Sequence, residues 1–429
     1  MKRIKVSKKY DIQGEIKVPS DKSITHRAFI LASIGQGKSI IKNPLLAEDC
    51  MNTLKALNSL GVEFEIMGKD IIIKGRGQGK FISPENVLDL GNSGTGIRLM
   101  TGLLAGQENL NVVMTGDSSL QNRPMKRIMT PLREMGACIK AREDKYPPLL
   151  IKGQKLKGIK YVLPMASAQV KSCILLAGLF AKGNTEIVEP MQSRNHTENM
   201  FAHLGIDLSI NNNVILLKPA LKNIKASSFF VPGDISSAAF FIVLGLILSK
   251  KGILLKDVGI NITRRGIIDV LIKMGGHIVI ENKRTICGEE VADIFVKKSD
   301  LKAVDIGDRE IPLLIDEIPI LALAAVFAEG KTEITGAEEL RYKESDRIAS
   351  IVMEFSKLGA NITEKKDGFI IQGTHALKGT KVFSHKDHRM AMTLIIAGLL
   401  AEGEIEVEDI ECIDTSFPNF LELLKEIVV

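Results

Sequence analysis

The chain of 429 residues carries 57 Lys+Arg against 51 Asp+Glu, a net charge of +6, with 45% hydrophobic and 25% charged residues. These are globular proportions at a length of two or three domains, and they exclude a disordered chain. With 16 Phe, 4 Tyr and no Trp the chain has little with which to build a base-stacking surface, and so small a positive excess argues against a nucleic-acid binder.

In chain order, the opening M-K-R-I-K-V-S-K-K-Y-D has basic residues but no apolar stretch behind them, unlike a secretory signal. An apolar helix is predicted from Ala28, in A-F-I-L-A-S-I-G-Q-G-K-S-I-I-K-N, followed after Gly37 by a β-rich run. The same phrase returns from Gly96, Cys173, Ala238, Pro319 and Met390, with glycines at Gly106, Gly183, Gly252, Gly330 and Gly403. Their spacings are 69, 77, 69, 78 and 73 residues, close to one sixth of the chain. A second helix follows in the first five copies and ends in Leu/Met-Gly before a strand, as in L-K-A-L-N-S-L-G-V-E-F-E and L-R-E-M-G-A-C-I-K. Glycine suits that place because the residue past a helix end prefers positive φ. The sixth copy stops at its helix, F-L-E-L-L-K-E-I-V-V.

The unit is therefore two helices and several strands, repeated six times. Helices this apolar belong beneath strands, not outside them. Repeats longer than solenoid units fit two closed domains of three units each, with a boundary near Val231-Pro232-Gly233-Asp234. The longest apolar runs, Ala238 to Leu248 and Ile318 to Ala328, fall short of the roughly 20 residues that span a bilayer. Five scattered cysteines, Cys50, Cys138, Cys173, Cys287 and Cys412, without C-x-x-C, suit reduced thiols in a cytoplasmic protein.

The charged motifs each have a plain reading. Asp21-Lys22-Ser23-Ile24-Thr25-His26-Arg27 is either a mouth for an anion or a capped helix with solvated charges. Ala32 to Ser39 loosely matches a P-loop, but with helix before and strand after, the reverse of what phosphate binding needs. Gly91-Asn92-Ser93-Gly94-Thr95-Gly96 offers bare N–H groups at a helix start, or only a plain start capped by Thr95 or Ser93. Gln121 to Arg127 gathers Arg123, Lys126 and Arg127 around Pro124; Glu338 to Arg347, if helical, would put Lys343 and Arg347 on one face beside Glu344, or else Ser345 caps the next helix and the charges are surface pairs. His385 and His388 have a metal-like spacing without a third ligand nearby, and Asp316 is an ordinary acidic helix start. What unites them is position: Lys22, Ser23, Arg27, Gly94, Ser167-Ala168-Gln169-Val170-Lys171, Asp316 and Arg389 all stand at the first helix of a repeat, and Arg347 at a second. Two domains whose helix starts face each other would line a cleft for a highly anionic ligand.

With D-K-S-I-T-H-R, G-N-S-G-T-G-I-R, N-R-P-M, A-S-A-Q-V-K-S, S-R-N-H-T-E, D-E-I-P, R-Y-K-E-S-D-R and D-H-R-M-A-M in this order, the whole chain resembles the 5-enolpyruvylshikimate-3-phosphate synthase family. The resemblance implies a mixed α/β (α+β) fold of two similar domains, each three βαβαββ units with buried helices, an inside-out α/β barrel. It divides the chain into residues 21–230 and residues 1–20 plus 231–429. It implies transfer of the enolpyruvyl group of phosphoenolpyruvate to the 5-hydroxyl of shikimate 3-phosphate, by a monomer needing no cofactor, metal, nucleic acid or membrane. Shikimate 3-phosphate would meet Lys22, Ser23, Arg27, Ser167, Gln169, Ser193, Arg194, Asp316 and Lys343. Phosphoenolpyruvate would meet Lys22, Gly94, Arg123, Gln169, Arg347 and Arg389. Asp316 and Glu344, with Lys22, would move protons.

Two positions depart from one subgroup of that family: Thr415 stands where it has a phosphate-contacting Lys, and Glu339 where it has Asn. Gly94, in place of the Ala of glyphosate-tolerant members, implies inhibition by glyphosate. Two rivals are weighed. The sister transferase acting on UDP-N-acetylglucosamine has Lys-Asn at Lys22-Ser23 and a loop Cys absent between Gly116 and Pro131. A non-catalytic repeat module leaves Asp316 and Glu344 among the cations unexplained.

Overall fold

The computed structural model describes residues 2–219 and 224–429. The chain forms two compact units: Ser20–Val231 with Thr285–Glu289, here the N-terminal unit, and the segment ending at Pro19 with Pro232–Arg284 and Glu290–Val429, the C-terminal unit.

The six apolar phrases are helices Lys22–Ile34, Gly94–Ala105, Ala168–Gly178, Ile235–Leu248, Ile318–Val326 and His388–Gly398. A helix that is apolar all round has no face to give to water, so other elements must cover it. Accordingly every residue from Ile235 to Leu246 and from Ile318 to Val326 is buried. The second helices differ. Lys126–Glu134, Arg347–Lys357 and Phe420–Ile427 are amphipathic and bury one face each.

Among the described residues, six sheets of three or four strands accompany these helices. In the second repeat Leu88–Asp89 runs parallel to Asn111–Thr115, which is antiparallel to Tyr146–Lys152, which in turn pairs with Cys138–Arg142. The third repeat copies this with Lys160–Val162, Thr185–Val188, Val214–Leu217 and Leu208–Asn211. The first repeat takes its parallel strand from the far end of the unit: Ser228–Phe230 lies beside Gln36–Lys42.

The C-terminal unit borrows in the same way. Gly14–Ile16 runs parallel to Ile253–Gly259 in the fourth repeat, and Arg3–Val6 lies antiparallel to Ile405–Glu408 in the sixth, whose own chain stops at a helix. The Leu/Met-Gly pairs end helices as the sequence suggests: Gly61, Gly136, Gly205, Gly275 and Gly359 have φ of 88, 97, 69, 89 and 84°. Among the described residues no helix is long and apolar enough to cross a membrane.

Helices Gly94–Ala105 and Ala168–Gly178 pack together at Gly102, where an added Cβ would lie 2.1 Å from the carbonyl oxygen of Cys173. Alanine would gain about 1 kcal/mol of helix propensity, but the obstacle is backbone and cannot rotate away. We expect Gly102→Ala to lower the free energy of unfolding by about 1–3 kcal/mol, as for other overpacked cores, in a denaturant titration.

Candidate functional site

In the N-terminal unit Lys22 begins its helix, capped by Asp21, whose carboxylate accepts the Ile24 N–H at 2.8 Å. A helix start leaves N–H groups without intrahelical partners and a positive dipole end. Lys22 Nζ lies 3.0 Å from Asp49 Oδ2. One turn on, the buried Arg27 donates from Nη1 to the Ser23 carbonyl at 2.9 Å, from Nε to Thr197 Oγ1 at 2.8 Å and from Nη2 to Ser172 Oγ at 2.8 Å. Burial draws its pKa down to about 10, and the Glu198 and Asp21 carboxylates oppose the fall, so it stays charged near neutrality.

Gly94 begins the second buried helix, capped by Ser93, which accepts the Gly96 N–H at 2.9 Å. A Cβ on Gly94 would sit 3.0 Å from Arg123 Nη1 and 3.1 Å from Arg98 Nη1, so glycine leaves room for two guanidinium groups. Arg98 donates to Gln169 Oε1, and Gln169 Nε2 donates to Thr95 Oγ1 at 2.9 Å. Arg123 is held by Asn92, its Nη1 donating to the Asn92 carbonyl at 3.3 Å. Gly94, Arg123 and Gln169 therefore share one cluster with Arg98. The sequence reading missed Arg98, although its i,i+4 offset from Gly94 was a usable signal.

Ser167 and Ser193 stand apart from these contacts. Ser167 occupies the N-cap position of Ala168–Gly178 and lines a cavity of about 380 Å³ with Lys126, Arg127, Tyr161 and Met165. Ser193 donates its N–H to Glu189 at 3.2 Å, and the charge of the neighbouring Arg194 acts on Arg27. Lys38, the lysine of the P-loop-like run, lies exposed in strand Gln36–Lys42, with the helix before it.

The C-terminal unit centres on Arg347, the first residue of helix Arg347–Lys357, whose cap is Asp346. Its side chain is 1% exposed and touches three carboxylates. Nε donates to Asp387 Oδ2 at 2.7 Å, Nη1 to Asp316 Oδ1 at 3.4 Å, and Nη2 to Glu344. Burial disfavours the charge, but Asp387, then Glu344 and Asp316, outweigh it and hold Arg347 above its ordinary range. Lys343 Nζ stands 3.5 Å from Asp316 Oδ1 and 3.8 Å from Glu339 Oε1. Arg389 donates its N–H to Asp387 Oδ1 at 2.9 Å and places Nη1 3.7 Å from the buried Glu317. Asp316, Lys343, Glu344, Arg347 and Arg389 are thus one charged cluster, in which Asp387, not singled out from the sequence, joins Arg347 to Arg389.

Two further motifs resolve simply. His385 Nε2 bonds Glu354 at 2.7 Å while His388 begins the last buried helix. Thr415 donates its hydroxyl to the Cys412 carbonyl at 2.7 Å inside its own turn.

His26 lies buried behind the Lys22 cluster, with Nδ1 2.9 Å from Thr53 Oγ1 and Nε2 3.2 Å from Ser93 Oγ. Burial first, then the charges of Lys22 and Arg27, depress its pKa from 6.5 to about 3. Its neutral form therefore contributes stability that is whole above pH 6.5. Below that the unfolded chain takes the proton alone, and stability falls by about 1.4 kcal/mol per pH unit. We expect His26→Gln to remove one proton's worth of that slope between about pH 6 and about pH 4.5 in denaturant titrations.

Comparison with known proteins gives one family. Residues 6–424 match the family model for EPSP synthase (3-phosphoshikimate 1-carboxyvinyltransferase). The 3-phosphoshikimate 1-carboxyvinyltransferase of Thermoanaerobacter sp. (strain X514) is 51% identical over 417 residues, 97% of this chain and 98% of that protein. That of Petrotoga mobilis (strain DSM 10674 / SJ95) is 48% identical over 429 residues, 99% of each. The EPSP synthase structure from Acinetobacter baumannii superposes with a TM-score of 0.90 at 42% identity, covering 100% of this chain and 98% of that one. With a family match running almost end to end and relatives near half identity over nearly their whole length, the chain belongs to the EPSP synthase (3-phosphoshikimate 1-carboxyvinyltransferase) family.

Proposed function

We propose that the protein transfers the enolpyruvyl group of phosphoenolpyruvate to the 5-hydroxyl of shikimate 3-phosphate, releasing inorganic phosphate. The observation that carries this reading is the buried guanidinium of Arg347 held between Asp316 and Glu344. The reaction needs an anion-binding cation next to two carboxylates that exchange protons, and this cluster has all three. We read each unit as the inside-out α/β barrel of the family.

In the addition, a proton goes to the methylene carbon of phosphoenolpyruvate while the 5-hydroxyl oxygen bonds the adjacent carbon and gives up its proton. In the elimination, the new methyl carbon loses a proton and the C–O bond to phosphate breaks. Glu344 serves as acid and then base, and Asp316 takes the hydroxyl proton, with Lys22 assisting the departing phosphate. Both substrates are polyanions, and like charges about 4 Å apart repel by roughly 4 kcal/mol at an effective dielectric of 20. Arg123, Arg347 and Arg389, as planar forks for carboxylate and phosphate, offset this, joined by Lys22, Gly94 and Gln169 around phosphoenolpyruvate. Ser23, Arg27, Ser167, Ser193, Arg194 and Lys343 take shikimate 3-phosphate, again with Lys22, Gln169 and Asp316. An arriving anion competes for Arg347 and so loosens its hold on Glu344.

The direct test is phosphate release from phosphoenolpyruvate with shikimate 3-phosphate or UDP-N-acetylglucosamine as acceptor. Release only with the former is expected, and release only with the nucleotide sugar would replace the acceptor. Asp316→Ala should lower kcat by about 10²–10⁴ while calorimetry shows both substrates still bound. Surviving turnover would remove Asp316 from the proton path. Glyphosate should inhibit competitively with phosphoenolpyruvate. In Gly94→Ala the new methyl would press on Arg123 and Arg98, so the inhibition constant and the KM for phosphoenolpyruvate should both rise. Normal turnover of the unmodified protein in glyphosate well above phosphoenolpyruvate would refute the assignment of Gly94.

A further inference from the structure

Lys171 lies in the first turn of helix Ala168–Gly178 with 0% of its side chain exposed. A cation so placed is costly unless its donors are met. Its ammonium has three partners: Glu189 Oε2 at 2.9 Å, Glu198 Oε1 at 2.6 Å and the Ser193 carbonyl at 3.3 Å. They come from three parts of the chain. Glu189 follows strand Thr185–Val188, Glu198 sits in the first turn of helix His196–His203, and Ser193 is in the loop between.

The other oxygen of Glu189 accepts both the N–H of Ser193, at 3.2 Å, and its hydroxyl. Ser193 is therefore gripped at N–H, hydroxyl and carbonyl by two buried charges of opposite sign. Beside them Arg27 bonds Ser172 and Thr197, next in sequence to Lys171 and Glu198, and interacts electrostatically with Glu198. Two cations and two carboxylates balance in the protein interior.

Stability alone is a poor reason for such a group, because apolar side chains of similar size would fill the space without desolvating four charges. What the charges add is a fixed loop. We propose that Lys171, acting through Glu189 and Glu198, is a positioning residue for shikimate 3-phosphate: it presets the Ser193–Arg194 loop before the ligand arrives. This rests on the reading of Ser193 and Arg194 as shikimate 3-phosphate contacts. When the Ser193 hydroxyl turns from Glu189 to the ligand, the grip on its N–H and carbonyl keeps the backbone in place.

The test uses Glu189→Gln and the charge-balanced double variant Lys171→Met/Glu198→Gln, each confirmed folded by circular dichroism. The KM for shikimate 3-phosphate should rise about tenfold or more, the scale of one hydrogen bond to a charged group. The KM for phosphoenolpyruvate and kcat should stay within about threefold, since the chemical step is untouched. Unchanged kinetics, or kcat and both KM values worsening together, would overturn the proposal. A second readout needs no turnover: deuterium uptake in ligand-free protein should quicken across residues 189–195 and not across helix Gly94–Ala105. Unchanged uptake across 189–195 would reject the anchor. If the unmodified protein itself is inactive with shikimate 3-phosphate, the functional reading has failed, and the exchange result still decides whether Lys171 anchors the loop.

Discussion

Six helices without a wet face set the terms for this protein. Burial of apolar surface is worth roughly 25 cal/mol per Å², and a helix such as Ile235–Leu248 collects that gain only when it is covered on all sides. Sheets provide the cover, which is why each repeat accompanies its buried helix with paired strands. Such a helix can offer only its ends to a ligand. Its N-terminus, with N–H groups left over and a positive dipole end, is the natural place to put chemistry that handles anions.

The charged residues follow from that geometry, and the two units use it differently. In the N-terminal unit Arg123 and Arg98 are held by neutral groups, Asn92 and Gln169, while Lys22 and Lys171 face carboxylates. In the C-terminal unit the cations sit among acids, with Arg347 alone facing three carboxylates. The neutral arrangement retains most of its positive charge for an incoming anion. The acidic one holds its cation and its acids in mutual check, a state that an added anion shifts.

The repeat, the buried character of its first helix and the Leu/Met-Gly ends were legible because they depend on periodicity and backbone conformation, which a single strand of sequence carries. Helix starts were legible for the same reason. Partner choice was not. Asp387 and Arg347 lie 40 residues apart, and nothing in D-H-R-M-A-M says that its aspartate turns to the previous repeat. Lys171 read as one more polar residue of a helix start, because its burial depends on Glu189 and Glu198 arriving from elsewhere. The borrowed strands Ser228–Phe230 and Arg3–Val6 were likewise invisible to periodicity, each being a few residues paired with a distant repeat.

The borrowing has a consequence for biogenesis. Ile4 pairs with Val407, so this strand leaves the ribosome long before its partner is made. At about 5–20 residues per second that delay is on the order of tens of seconds. Throughout it, Arg3–Val6 presents open backbone donors and acceptors to any passing strand. Its neighbourhood is correspondingly ill suited to chance pairing: Lys2, Arg3, Lys5, Lys8 and Lys9 crowd the segment with like charge, the usual guard on an exposed sheet edge. The basic residues around this strand thus oppose chance pairing while its partner is still unmade, and the N-terminal unit can complete its own sheets long before the C-terminal unit can close.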